Sequence, residues 1–122
     1  MNWTFFLAIG AVVAVLLVVK RLSLVSAADA RDLLKQGALV IDVRTPGEFQ
    51  SGHVAKAINI PLDDLGNTLS RRVSDKNQVL LLHCLSGGRS AVGWHHARRL
   101  GYSRVFNLGS YRRATEIVKS AA

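Results

Sequence analysis

Val79-Leu80-Leu81-Leu82-His83, followed by Cys84-Leu85-Ser86-Gly87-Gly88-Arg89-Ser90, is the stretch on which the fold turns. Four consecutive apolar residues need cover on both sides of a sheet, so Val79 to His83 reads as the central strand of a parallel sheet. Ser90 then opens a helix to about Leu100, closed by Gly101. The loop between them falls at the carboxyl end of the sheet, where open α/β folds place ligands. Gly87 and Gly88 let the chain turn tightly with successive backbone N–H groups pointing inward, and such a nest beside a helix N-terminus attracts an anion. The same field acts on Cys84, whose thiol should ionise more readily there than at the free pKa of about 8.5. A lone cysteine is commonly a small buried hydrophobe. Two glycines, an arginine and a helix start within the next six residues point instead to a nucleophile. Arg89 can return to the loop mouth and pair with an oxyanion.

Outward from this loop, strands and helices alternate. Ser26 and Asp29 can cap a helix running to about Gln36, with Gly37 as its stop, and Leu39-Val40-Ile41-Asp42-Val43 is a short buried strand broken by Thr45-Pro46-Gly47. A turn of helix around Glu48-Phe49-Gln50 leads to a strand at Ala57-Ile58-Asn59-Ile60, ended by Pro61, and to a helical segment near Leu62 to Leu69. Arg104-Val105-Phe106-Asn107 makes a last strand, and Tyr111, Ala114, Ile117, Val118 and Ala121 recur at helical spacing in a terminal amphipathic helix. The alternation implies an α/β fold with a parallel sheet between layers of helices.

The amino-terminal end is different in kind. Sixteen of the first nineteen residues are apolar, and no charge interrupts the run from Trp3 to Val19 before Lys20-Arg21. Seventeen helical residues cover roughly 26 Å, just enough for a ~30 Å hydrocarbon core with Trp3 at one interface and Lys20 at the other. A core helix with no polar face would be unusual in so small a domain. Ala28-Asp29-Ala30 has the small-x-small form of a signal-peptide cleavage site, but signal peptides carry their basic residues before the apolar stretch and here both follow it. The expectation is an anchor over residues 1–21, contacting the membrane through residues 3–19, and one soluble domain over residues 22–122. Positive-inside logic puts that domain on the cytoplasmic side, with a periplasmic placement as the alternative.

All 16 Lys and Arg and all 8 Asp and Glu lie beyond Val19, and from residue 81 onward Glu116 is the only acid against seven bases. The resulting positive field suits small anionic ligands or lipid headgroups. The basic pairs Arg71-Arg72, Arg98-Arg99 and Arg112-Arg113 are scattered and no nucleic-acid-binding spacing appears, so nucleic acid is not an expected partner. A single cysteine excludes an intrachain disulfide framework and a multi-thiolate metal site. His95 and His96 are adjacent and point about 100° apart on a helix, a poor arrangement for one metal, and His83 should face away from Cys84 across the strand.

Asp42-Val43-Arg44, Glu48-Phe49, Gly52-His53-Val54, Ala57-Ile58-Asn59-Ile60-Pro61, Cys84-x-x-Gly87-x-Arg89-Ser90 and Leu100-Gly101-Tyr102, taken in order, resemble a single-domain bacterial rhodanese over roughly residues 24 to 119. The resemblance implies a five-stranded parallel sheet with helices on both faces. It also implies a sulfurtransferase whose Cys84 takes a sulfane sulfur from a small anionic donor such as thiosulfate, becomes a persulfide, and passes the sulfur to cyanide or another thiophilic acceptor. By the same resemblance Leu85, Ser86, Gly87, Gly88, Arg89 and Ser90 bind the donor, Asp42 and Arg44 form a supporting pair, and neither metal nor organic cofactor is required. Gly109-Ser110-Tyr111 stands where relatives often show two glycines and then a tryptophan.

Two other functions are compatible with parts of this pattern. A cysteine phosphatase or arsenate-reductase-like enzyme shares the thiolate, nest and arginine, but such phosphatases use five residues between Cys and Arg, and Cys84 to Arg89 leaves four. The other is a non-enzymatic membrane module, either a docking platform or a passive persulfide carrier serving a protein sulfur acceptor; the intact Cys84 and Arg89 argue against a dead scaffold but are compatible with slow delivery to a protein.

Overall fold

The computed structural model describes residues 2–122; Met1, the first residue of the expected anchor, lies outside the described residues. Four strands, β1 (Leu39–Asp42), β2 (Ile58–Asn59), β3 (Leu80–His83) and β4 (Val105–Gly109), form one sheet in the order β2-β1-β3-β4, and every pairing is parallel. The helices are α1 (Trp3–Ser23), α2 (Ala27–Lys35), α3 (Pro46–Ser51), α4 (Leu65–Arg72), preceded by a 3₁₀ turn at Leu62–Asp64, α5 (Gly88–Arg99) and α6 (Tyr111–Ala121).

Period-two alternation along β3 explains the packing. Leu80, Leu82 and Cys84 face one side, where they meet Ile41, Val43, Leu65, Leu69 and Ala97 beneath α4 and α5. Leu81 faces the other, with Val40, Ala30, Leu108, Ala114 and Ile117 beneath α2 and α6. The expected two-sided cover of the Val79–His83 run is therefore present, and β3 is buried at every position. From β1 the chain crosses outward to β2 and then back past β1 to β3, so the direction of winding reverses between β1 and β3. Their carboxyl ends, where Asp42 and His83 are register partners, define the crevice in which such sheets hold ligands.

The expectation of five strands is corrected: among the described residues the sheet has four. A fifth position exists beyond β4 but is reduced to one parallel bridge, Leu24 to Asn107, with the Val25 amide donating to the Asn107 carbonyl at 3.1 Å. The reason is local. α1 remains helical to Ser23, and Ser26 caps α2 by accepting from the Asp29 amide, which leaves three residues between two helices. β2 is likewise shorter than expected, ending at Asn59 because Ile60 leads directly into Pro61, which has no N–H to give a sheet.

α1 is long and apolar enough to cross a membrane, and its side chains from Trp3 to Val18 are exposed. It extends two residues past Lys20-Arg21 because nothing there breaks a helix, and the Ser23 hydroxyl donates back to the Lys20 carbonyl at 2.8 Å.

Candidate active site

Cys84 continues β3 by one residue, its amide donating to the Gly109 carbonyl at the end of β4. The chain then turns through Leu85, Ser86 and Gly87 into α5. Gly87 has φ +96, a left-handed conformation that side chains disfavour, and a Cβ there would stand 3.0 Å from Lys20 Cε and 3.3 Å from Gly109 Cα. Glycine is required on both counts. The outer side of the loop is held by the turn after β4: Ser86 bridges Ser110, and the Tyr111 amide donates to the Leu85 carbonyl at 3.1 Å. The Gly109-Ser110-Tyr111 departure thus clamps the loop, while Ser110 also caps α6.

The turn aims its donors at sulfur. The Gly87 amide donates to Cys84 Sγ at 3.0 Å and the Ser90 hydroxyl, from the first turn of α5, at 3.5 Å. The same hydroxyl lies 3.2 Å from the Gly87 carbonyl, so its one proton is shared between that carbonyl and sulfur. Complete burial of Cys84 works against ionisation, but the Ser90 hydroxyl and the amides of Ser90, Gly87 and Ser86 outweigh it, and the thiol pKa lies below its ordinary value. Leu85, Ser86 and Gly88 ring this nest on the exposed side.

Arg89 is not free at the loop mouth, as the spacing predicts, but engaged with a carboxylate. Its two terminal nitrogens donate to Glu48 Oε1 and Oε2 at 2.6 and 3.0 Å, a bidentate pair. Glu48 is itself fixed by a capping box at the start of α3, where the Thr45 side chain accepts from the Glu48 amide and Glu48 Oε1 accepts from the Thr45 amide. The Arg89 guanidinium, acting against partial burial and helped by the Thr45 amide and hydroxyl, holds the Glu48 carboxyl down at about 2. Glu48 was readable in the sequence as part of a Thr-x-x-Glu box, a signal of helix capping rather than of chemistry.

Asp42 and Arg44 come together on the opposite face of the sheet from Cys84. Arg44 donates through Nε and Nη2 to both Asp42 oxygens at 2.7–3.0 Å, and its own amide donates to Asp42 Oδ1 at 2.9 Å. The guanidinium also donates to the Gly52 carbonyl at 2.8 Å and lies over the Tyr111 ring, 4.5 Å from its centre. This pair ties the end of β1 to the exit of α3 and the start of α6. It does not reach sulfur. Behind Cys84, buried His83 directs Nδ1 at the Cys84 carbonyl at 3.2 Å, so Nδ1 carries the proton, and Nε2 has no hydrogen-bond partner among the described residues. Burial lowers the His83 pKa more than the nearby Asp42 carboxylate raises it, which keeps the ring neutral.

Asn107, another residue that spacing alone does not single out, is fully buried in β4. Its side-chain amide donates to Ser23 Oγ at 3.0 Å and to the Gly87 carbonyl at 3.3 Å, while Oδ1 accepts from the Gly109 amide at 2.8 Å. A polar residue among apolar neighbours in a strand was the available clue.

The fold and site define a parallel α/β domain with a buried thiol held by loop donors at the winding reversal of its sheet. The rhodanese-like domain family matches residues 26–113, and the chain belongs to that family. It is 36% identical over 72 residues to thiosulfate sulfurtransferase PspE of Escherichia coli (strain K12), covering 59% of this chain and 69% of the relative. It is 35% identical over 100 residues to chloroplastic thiosulfate sulfurtransferase 16 of Arabidopsis thaliana, covering 73% and 83%. Among solved structures, the human single-domain sulfurtransferase TSTD1 superposes with a TM-score of 0.66 at 30% identity, over 77% of this chain and 96% of that one. An E. coli rhodanese with anions superposes with a TM-score of 0.61 at 34% identity, over 63% and 91%. The family is one of sulfurtransferases.

Proposed function

We propose that the protein is a membrane-anchored sulfurtransferase that works through a Cys84 persulfide. The observation that carries this reading is the convergence of the Gly87 amide and the Ser90 hydroxyl on Cys84 Sγ, in a chain whose family includes thiosulfate sulfurtransferases. The Cys84 thiolate attacks the outer sulfur of thiosulfate; the S–S bond of the donor breaks, sulfite leaves with the bonding electron pair, and the enzyme holds Cys84–S–S⁻. A thiophilic acceptor then attacks the terminal sulfur, giving thiocyanate when the acceptor is cyanide and returning the thiolate. The nest donors that lower the thiol pKa are suited to holding the terminal persulfide anion. Arg89 spends two of its five N–H donors on Glu48 and keeps three for the anionic oxygens of the donor. Asp42 and Arg44 support the loop frame and make no contact with sulfur.

The length, apolarity and exposure of α1 support the anchor, and Lys20 and Arg21 at its end support a cytoplasmic domain. The test is intact mass of the purified full chain after thiosulfate treatment: one added sulfur atom mapped to Cys84, released as thiocyanate on adding cyanide. Cys84→Ser should take up none. Uptake by that variant, or none by the parent chain, rejects the mechanism.

A further inference from the structure

The base of α1 is not a flexible tether. Lys20 folds against the reactive loop, its Cε at 3.0 Å from where a Gly87 Cβ would stand. One turn on, buried Ser23 accepts from the Asn107 side chain, which also donates to the Gly87 carbonyl, and the Gly87 amide donates to Cys84 Sγ. Arg113 secures the next residues, donating to the Val25 carbonyl at 2.6 Å and to the Leu108 carbonyl at 2.7 Å. Three residues separate α1 from α2, and two of their backbones pair with Asn107. These contacts join anchor base and loop, so the depth of one is tied to the depth of the other.

We propose that the loop carrying Cys84 sits in the anionic headgroup layer of the membrane crossed by α1, with Leu85 set into the interface, so that sulfur exchange occurs at the bilayer surface. This rests on reading α1 as a spanning anchor. Lys20 is the first charge after the apolar run and marks the level where the helix leaves hydrocarbon. The headgroup layer extends about 5–8 Å beyond that level; Ser23 stands three residues, about 4.5 Å, past Lys20 along the helix, and the Asn107 side chain bonds both Ser23 and the Gly87 carbonyl, which holds Gly87 close to that layer. The side chains at this end suit the location. Leu85 is 57% exposed at the tip of the loop, Leu22 and Leu24 are exposed at the helix base, and Lys20 and Arg21 supply positive charge among them. An interface would bury these leucines together.

A kinetic consequence separates this location from a domain held clear of the membrane. A surface at about −30 mV depletes a dianion roughly tenfold relative to bulk. The full chain, reconstituted in vesicles of phosphatidylcholine alone or with phosphatidylglycerol, is expected to show an apparent KM for thiosulfate about tenfold higher on the anionic surface, converging with the neutral one at high salt. In parallel, a nitroxide at Leu85→Cys in a Cys84→Ser background is expected to be shielded from a water-soluble nickel relaxant, and one at exposed Ser74→Cys, at the far end of the sheet, to be fully accessible. A label at 85 as accessible as the label at 74, or a KM indifferent to lipid charge, overturns the proposal. Resistance of the protein to alkaline carbonate extraction tells the failures apart: extraction removes the anchor reading and this proposal together, whereas retention with an aqueous label at 85 removes this proposal alone.

Discussion

Two arginine–carboxylate pairs stand at the carboxyl end of the sheet, on opposite faces, and differ chiefly in their access to water. Arg44 and Asp42 have side chains 6% and 0% exposed; Arg89 and Glu48 are 36% and 29% exposed. The two buried side chains spend their hydrogen bonds chiefly on each other and on the Gly52 carbonyl, and the guanidinium stacks on Tyr111. The exposed pair has weaker cause to exist for stability, because an ion pair in contact with solvent contributes little. What it does is hold a cation, already oriented and partly desolvated, beside the loop that carries the thiol. The same two side-chain types thus make a clamp in one place and, on the function proposed above, a subsite for the donor's oxygens in the other.

The largest effect should come from breaking the clamp. Asp42→Ala leaves the Arg44 guanidinium buried without its counter-charge, and a loss of about 3–5 kcal/mol in unfolding free energy is expected by denaturant titration. Next is Arg89→Ala, expected to raise KM for thiosulfate about 10- to 100-fold, the range for losing hydrogen bonds to a charged group, while leaving the unfolding midpoint nearly unchanged. Equal destabilisation by the two substitutions would erase the distinction between the pairs. Ser90→Ala should move the midpoint of the pH–alkylation profile of Cys84 upward and slow alkylation about five-fold at neutral pH, since one donor that lowers the thiol pKa is gone. The smallest change is expected from Glu48→Gln, under about 1 kcal/mol in stability, with a lower thiosulfate KM because Arg89 is released. Acid titration reads the same pair: the Glu48 pKa is depressed in the folded protein, so its contribution is complete above about 4.5 and is lost as pH falls toward about 2.

The legible parts of the molecule are those whose cause is local. Val79 to His83 reads as a central strand because four apolar side chains in a row, bounded by turn residues, suit a sheet covered on both faces, and Gly87 after Cys84 marks a turn that favours glycine. Position along the chain says nothing of the partner of Arg89, since Glu48 lies 41 residues away and reaches it only because α3 is capped by Thr45. Asn107 is similar: its bond to Ser23 spans 84 residues. The missing fifth strand came from the same source. The charges at Lys20-Arg21 end an apolar run but not a helix, and the two further residues to Ser23 leave room for only one bridge beside β4.

The joint between Ser23 and Asn107 also bears on how the protein is handled at the bench. A version shortened to begin at Leu24 or later, the usual route to a soluble enzyme, deprives the Asn107 amide of one of its two acceptors and uncovers the back of Gly87 where Lys20 rests. Assays of the proposed activity are therefore expected to report the intact loop only on protein that keeps Lys20 and Ser23, whose contacts brace it.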